Sequence, residues 1–234
     1  MKKISIIGAT VIGNRGAEAM LSVTVGRISE KYPKCHFYIF SYLPKEDFKL
    51  LKERDNITVH SSTPLFLLLV LLPSSIIFFL LKWLNLNSLN QLIVPRSTNN
   101  LFSSDVLIDI AGVSFMDGRK IFLPFNILTI LPAMLIGTPV VKFSQAIGPF
   151  KNNLISFASD IFLPKCKQIF VRGEISFKNI KNKLINQNNY QQASDLAFLF
   201  KKGDSLSVEN SDYINNLLKI VKKEKSRSKN FIGL

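Results

Sequence analysis

Lys3-Ile4-Ser5-Ile6-Ile7-Gly8, followed at a short distance by Gly13-Asn14-Arg15-Gly16-Ala17-Glu18-Ala19, is the stretch on which the fold turns. Its first part is a short apolar run closed by glycine, the pattern of a strand buried on both faces. The second part is a glycine-rich turn leading into a helix over 15–31, where Ala19, Met20, Val23 and Ile28 recur at roughly helical spacing. Tyr32-Pro33 ends that helix, because the residue before a proline is pushed out of the α region. Strand, glycine turn and helix in this order open a parallel βαβ unit.

Outward from that unit the alternation continues. A second strand is expected over 36–41, then Pro44 and a charged helix ending near Arg54, then a third strand over 57–60. Further strands are expected over 105–111, 139–144 and 168–172, with helices over 123–136, 176–185 and 211–221. The pattern predicts an α/β fold: a Rossmann-like three-layer domain with a mainly parallel sheet. One domain is expected over 1–229, with an apolar membrane-facing insert at about 64–84. Phe231-Ile232-Gly233-Leu234 reads as a strand beginning, so 230–234 is expected to open a second domain.

Composition narrows the function. The chain has 234 residues, 47% of them hydrophobic and 20% charged, enough to build a core and too apolar for a disordered chain or a coiled coil. Cys35 and Cys166 are its two cysteines and His36 and His60 its two histidines, so a disulfide framework, a cysteine cluster and a multi-histidine metal site are excluded. No metal and no cofactor are expected. The net charge of +14 points to an anionic surface, or to no more than a solvated, lysine-rich face. Nucleic acid is not the expected partner, since no basic stripe interleaves with aromatic residues.

The mean hydropathy of +0.21 has a local source. From Ser61 to Leu81 no side chain ionises, which matches the roughly 20 residues needed to cross a bilayer. A spanning helix would put the strands before and after it on opposite sides of the membrane, which one sheet does not allow. A wholly buried helix and an interfacial one remain, and the interfacial reading is preferred: a helix or helical hairpin bent at Pro73, with Lys82 and Trp83 at the headgroups. Basic clusters such as the one over 219–229 would add about 1 kcal/mol per well-placed charge on anionic lipid. The expected location is cytoplasmic, peripheral at the inner face of the membrane.

Four constellations lie just past strands. Gly13, Asn14 and Gly16, with Glu18 close behind, form a turn at a helix amino terminus, where backbone N–H groups favour an anion; the plain alternative is a tight turn with Glu18 complementing the helix dipole. The spacing is neither the dinucleotide fingerprint nor a nucleotide P-loop. Gly112, Ser114, Asp117 and Gly118 lie in a loop where open α/β sheets hold ligands, or form an ordinary βα loop. Gln145, ahead of Gly148-Pro149, has the donor and acceptor suited to a hydroxyl-rich ligand, or marks only a Gly-Pro turn. Arg172 is placed to grip a carboxylate or phosphate bidentately, or to pair with Glu174 at the surface.

In this order the motifs resemble the polysaccharide pyruvyl transferase family over about residues 3 to 200. Gly13-Asn14-Arg15-Gly16-Ala17-Glu18-Ala19 is similar to the family's Gly-Asn-x-Gly-Asp-Glu-Ala, with Ala17 in place of the Asp. Gly112 through Asp117 stands for its middle loop, with Ala111 and Val113 thinning the glycine run, and Gln145-Ala146-Ile147-Gly148-Pro149 for Gln-x-Ile-Gly-Pro. Val171-Arg172-Gly173-Glu174-Ile175-Ser176 and Asp195-Leu196-Ala197-Phe198-Leu199 complete the set. The resemblance implies two Rossmann-like halves facing across a cleft, as in GT-B glycosyltransferases. It implies transfer of pyruvate from phosphoenolpyruvate to a sugar of a surface polysaccharide, lipid-linked or polymeric, as a ketal.

It further implies that Gly13, Asn14, Gly16, Glu18, Gly112, Asp117, Gln145 and Arg172 face substrate. The family's catalytic histidine lies in the second half, and neither His36 nor His60 matches it, so no catalytic residue is assigned. The chain alone is expected to be inactive or nearly so, with a separate carboxyl-terminal half as a possible partner. The alternative is a non-catalytic membrane-associated binding or assembly module.

Overall fold

A computed structural model describes residues 1–86, 89–201 and 204–206. The helix expected over 211–221, the basic cluster over 219–229 and the segment 230–234 lie outside the described residues. Eight strands form one parallel sheet among the described residues: β1 (Lys2–Ile7), β2 (Cys35–Ser41), β3 (Ile57–Ser61), β4 (Val106–Asp109), β5 (Val113–Ser114), β6 (Val140–Ile147), β7 (Gln168–Arg172) and β8 (Tyr190–Ala193). Their order is β3-β2-β1-β4-β6-β7-β8, with β5 beside β6. The chain runs outward from β1 to β3, then returns to lay β4 on the other side of β1. The strand order therefore reverses between β1 and β4, the place where such sheets open a crevice at their carboxyl ends.

Alternation along the strands fills two cores. Ile4, Ile6, Phe37 and Ile39 face α1 (Arg15–Lys31) and α2 (Pro44–Leu51), packing with Leu21, Val23 and Leu51. Ile7, Tyr38, Phe40 and Leu107 face the opposite layer, where they meet Leu67, Leu71, Phe78, Ile136 and Ile155. Each such buried side chain contributes roughly 1.5–3 kcal/mol over an exposed one. The three-layer α/β architecture is thus as the alternation predicts.

Details differ for physical reasons. The helix expected over 123–136 is two helices, Leu123–Leu128 and Leu131–Ile136, because Pro132 starts a second one. Strand β8 leaves no mark in the sequence: Tyr-Gln-Gln-Ala has no apolar alternation, and among the described residues it pairs with β7 alone. Of the two forms expected for the apolar segment, a helix or a helical hairpin bent at Pro73, the structure has the helix, Pro64–Trp83. A π-helical stretch, Leu67–Leu71, absorbs the hydrogen bond that Pro73 cannot donate. Ser74 Oγ then bonds Val70 O at 2.6 Å and Thr98 Oγ1 at 2.6 Å, tying the helix to the Arg96–Phe102 helix. This segment lies on the crossover from β3 to β4.

Candidate functional site

The carboxyl edge around β1 and β4 brings the sequence motifs together. At its floor lies Gly8, which the motif reading passed over. Its φ is +93°, and a Cβ there would stand 2.5 Å from the Ala111 nitrogen and 2.8 Å from Asp109 Oδ1, so the loops after β1 and β4 touch backbone to backbone. Gly13 also needs glycine, with φ +88°. Gly16 does not; its φ is ordinary and its nearest neighbour is Asn14 Oδ1. Asn14 caps α1, its Oδ1 accepting the Ala17 N–H at 3.1 Å.

The loop between β1 and α1 is held from an unexpected direction. Asp47, buried in the first turn of α2, accepts the N–H groups of Val11 and Ile12 at 3.0–3.2 Å and the Ser41 hydroxyl at 2.6 Å. Burial pushes its pKa above the ordinary value, although these hydrogen bonds favour the carboxylate. No sequence signal marked Asp47, which reads as an ordinary acid at a helix start.

Across the edge, Arg172 at the end of β7 donates through Nη1 to Asp195 and through Nη2 to the Gly112 carbonyl at 3.1 Å. Its partner is therefore Asp195 rather than Glu174. The Arg172 side chain is 29% exposed and its guanidinium has five N–H donors, two of them accounted for by these bonds. Asp195 also caps the turn Leu196–Leu199 through the Ala197 N–H. The Asp-x-Ala-Phe-Leu pattern marked this residue, though not its partner. Ser144, at φ +57° where the β6–β7 register shifts, fixes the same segment by donating to Ser194 O and accepting from Leu196 N.

Three expected substrate contacts are placed otherwise. Gln145 is fully buried; its Nε2 donates to Asp109 O at 2.8 Å and its Oε1 accepts from Ser114 Oγ at 2.6 Å, so it stitches β4 to β5 instead of facing a ligand. Asp117 uses both oxygens on the N–H groups of Lys151 and Asn152, at 2.8 and 3.0 Å. Glu18 is buried and accepts from Ser205 Oγ at 2.8 Å, under the segment that follows the Leu196–Leu199 turn. Gly13, Asn14, Gly112 and Arg172 remain grouped at the carboxyl edge.

Beneath this edge lies a buried ion pair that composition could not locate. Lys142 Nζ meets Asp109 Oδ2 at 2.6 Å with both side chains sealed from solvent, and Asp109 Oδ1 accepts the Ala111 N–H at 3.0 Å. Through that bond the pair fixes the loop whose Gly112 carbonyl receives Arg172. Cys166 lies near the pair, and burial pushes its thiol up to about 11, which leaves it unreactive. His60 packs among Tyr38 and Phe40 and accepts from Asn100 Nδ2 at 2.9 Å; burial holds its pKa down at about 4. Among the described residues no cluster of three His, Cys, Asp or Glu side chains is placed to hold a metal.

The family model for polysaccharide pyruvyl transferase matches residues 14–232, most of the chain and every motif grouped at this edge except Gly8 and Gly13. The chain belongs to the polysaccharide pyruvyl transferase family. A search of curated proteins gives no match. Among solved structures, MurG from Acinetobacter baumannii is similar at 14% identity and a TM-score of 0.42, over 83% of this chain and 45% of that one. This chain thus spans less than half the length of that neighbour. In this pyruvyl transferase family member, the motif residues divide into those that line the edge and those that brace it from below.

Proposed function

We propose that this chain forms one wall of a site that transfers pyruvate from phosphoenolpyruvate to a sugar of a surface polysaccharide. In that reaction one sugar hydroxyl adds to the enol carbon while a proton goes to the methylene carbon, which becomes a methyl group. A second hydroxyl then displaces the phosphate, leaving a pyruvate ketal and inorganic phosphate. The donor carries a carboxylate and a phosphate, so its site needs anion-holding groups and a general acid.

The observation that carries this reading is Arg172, braced by Asp195 over Gly112 at the edge where the strand order reverses. Its uncommitted N–H groups and the amino-terminal turn of α1 would hold the anion. A second Rossmann-like half facing this edge, as in GT-B enzymes, would bring the general acid. The acceptor in this reading is a lipid-linked or polymeric sugar at the inner face of the membrane.

Calorimetric titration of the full chain with phosphoenolpyruvate tests the proposal. Binding is expected, weakened about tenfold by Arg172→Lys, which keeps the charge but loses the fork. Absence of binding, or preference for a sugar nucleotide, would overturn it. Ala17, where the family carries Asp, favours a second reading, a non-catalytic membrane-associated module. That reading requires vesicle binding without phosphoenolpyruvate binding.

A further inference from the structure

We infer that the outer face of the Pro64–Trp83 helix and the surface beside it dock on an anionic lipid bilayer, with the helix lying in the membrane plane. The inference is independent of pyruvyl transfer. The helix has a mean hydropathy of 2.6, yet only 28% of it is buried. Leu67, Leu71 and Phe78 point into the core, while Leu65, Leu69 and Trp83 are 70, 65 and 73% exposed. A soluble surface helix would carry charge on that side; this one carries none before Lys82.

Topology rules out crossing. The strands at the two ends of this connection, β3 and β4, belong to one sheet, so both ends of the helix stay on one side of any bilayer. A wholly apolar outward face on a helix that cannot span is the signature of interfacial seating.

Charge selects the occupant. From Asn56 to Ser104 there is no Asp or Glu, and none from Gly118 to Ser159, so the Pro64–Trp83, Arg96–Phe102, Leu123–Leu128 and Leu131–Ile136 helices carry no carboxylate. What it carries is cationic: Lys82, Arg96, Arg119 and Lys120, the last two beside Ile121, which is 82% exposed. A groove of about 370 Å³ opens where the helix ends, with Phe79, Lys82 and Trp83 on one wall and Leu135, Ile136 and Gly137 on the other. An ammonium and an exposed indole lining an apolar groove match a headgroup phosphate above an acyl chain.

Trp83 is the only tryptophan, so it reports directly on its own burial. The full chain is mixed with vesicles of phosphatidylcholine alone or of phosphatidylcholine with phosphatidylglycerol. Expected are co-sedimentation with the anionic vesicles, a blue shift of Trp83 emission, and quenching by brominated acyl chains. Lys82→Glu and, separately, Leu69→Ser weaken binding about tenfold, with unchanged circular dichroism. Failure to bind, or binding without a change at Trp83, would overturn the inference. So would a dimer in sedimentation velocity that Leu69→Ser dissociates, since a second copy would then cover the face.

Discussion

The two helical layers that cover this sheet obey opposite rules. The layer of α1 and α2 holds Glu18, Glu30, Glu46 and Asp47, and its helices are amphipathic in the ordinary sense, with Leu21, Val23 and Leu51 inward. The layer around the Pro64–Trp83 helix has no carboxylate over two long stretches and shows leucine and isoleucine on both its inner and outer sides. The first layer positions the glycine-rich turn through Asp47 and Asn14. The second packs the core on its inner side, while much of its outer side stands exposed, with Leu65, Leu69 and Trp83 at 70, 65 and 73%. Burial alone therefore explains the sequence of the first layer but only half of the second.

The contrast breaks most sharply if inner and outer positions of the apolar helix behave alike. Phe78→Ala is expected to cost about 4 kcal/mol in denaturant unfolding, because Phe78 is buried and its ring packs tilted against Phe102, 4.3 Å between centroids. A comparable loss, about 3 kcal/mol, is expected for Gly8→Ala on the sheet's carboxyl edge, from the left-handed φ and the backbone contact with Ala111.

His60 sharpens the comparison through pH. Its depressed pKa makes the neutral ring the folded form, so the stability it contributes is fully present above about 6.5 and is lost as pH falls towards 4. The loss is on the order of 3 kcal/mol, and in His60→Phe the unfolding free energy should depend less steeply on pH across that window. On the opposite layer, Asn14→Ala should cost about 1 kcal/mol by removing the α1 cap, read as a lowered melting temperature. Leu69→Ser, on the outer side, should change stability by less than about 0.5 kcal/mol; a loss comparable to that of Phe78→Ala would show that the outer face is packed after all.

The candidate site was legible unevenly. Gly13, Asn14, Gly112 and Arg172 announced themselves by type and by position after a strand, because helix starts and strand ends leave local marks. Gln145 and Asp117 carried the same marks but satisfy backbone and side-chain groups inside the protein. Asp47, Asp109 and Lys142 carried none. Their roles come from partners that are distant in sequence, 33 residues away for the buried pair.

The sequence by itself determined the alternation of strands and helices, the family, the lack of carboxylates around the apolar segment and the uncharged run within it. These are local or compositional properties, written in periodicity and residue type. Only the tertiary structure decided that the run is one unbroken helix on the β3–β4 crossover, which of its sides is buried, and that Arg172 is braced by Asp195. Those outcomes depend on which surfaces meet once the sheet has assembled, and no window along the chain contains that information.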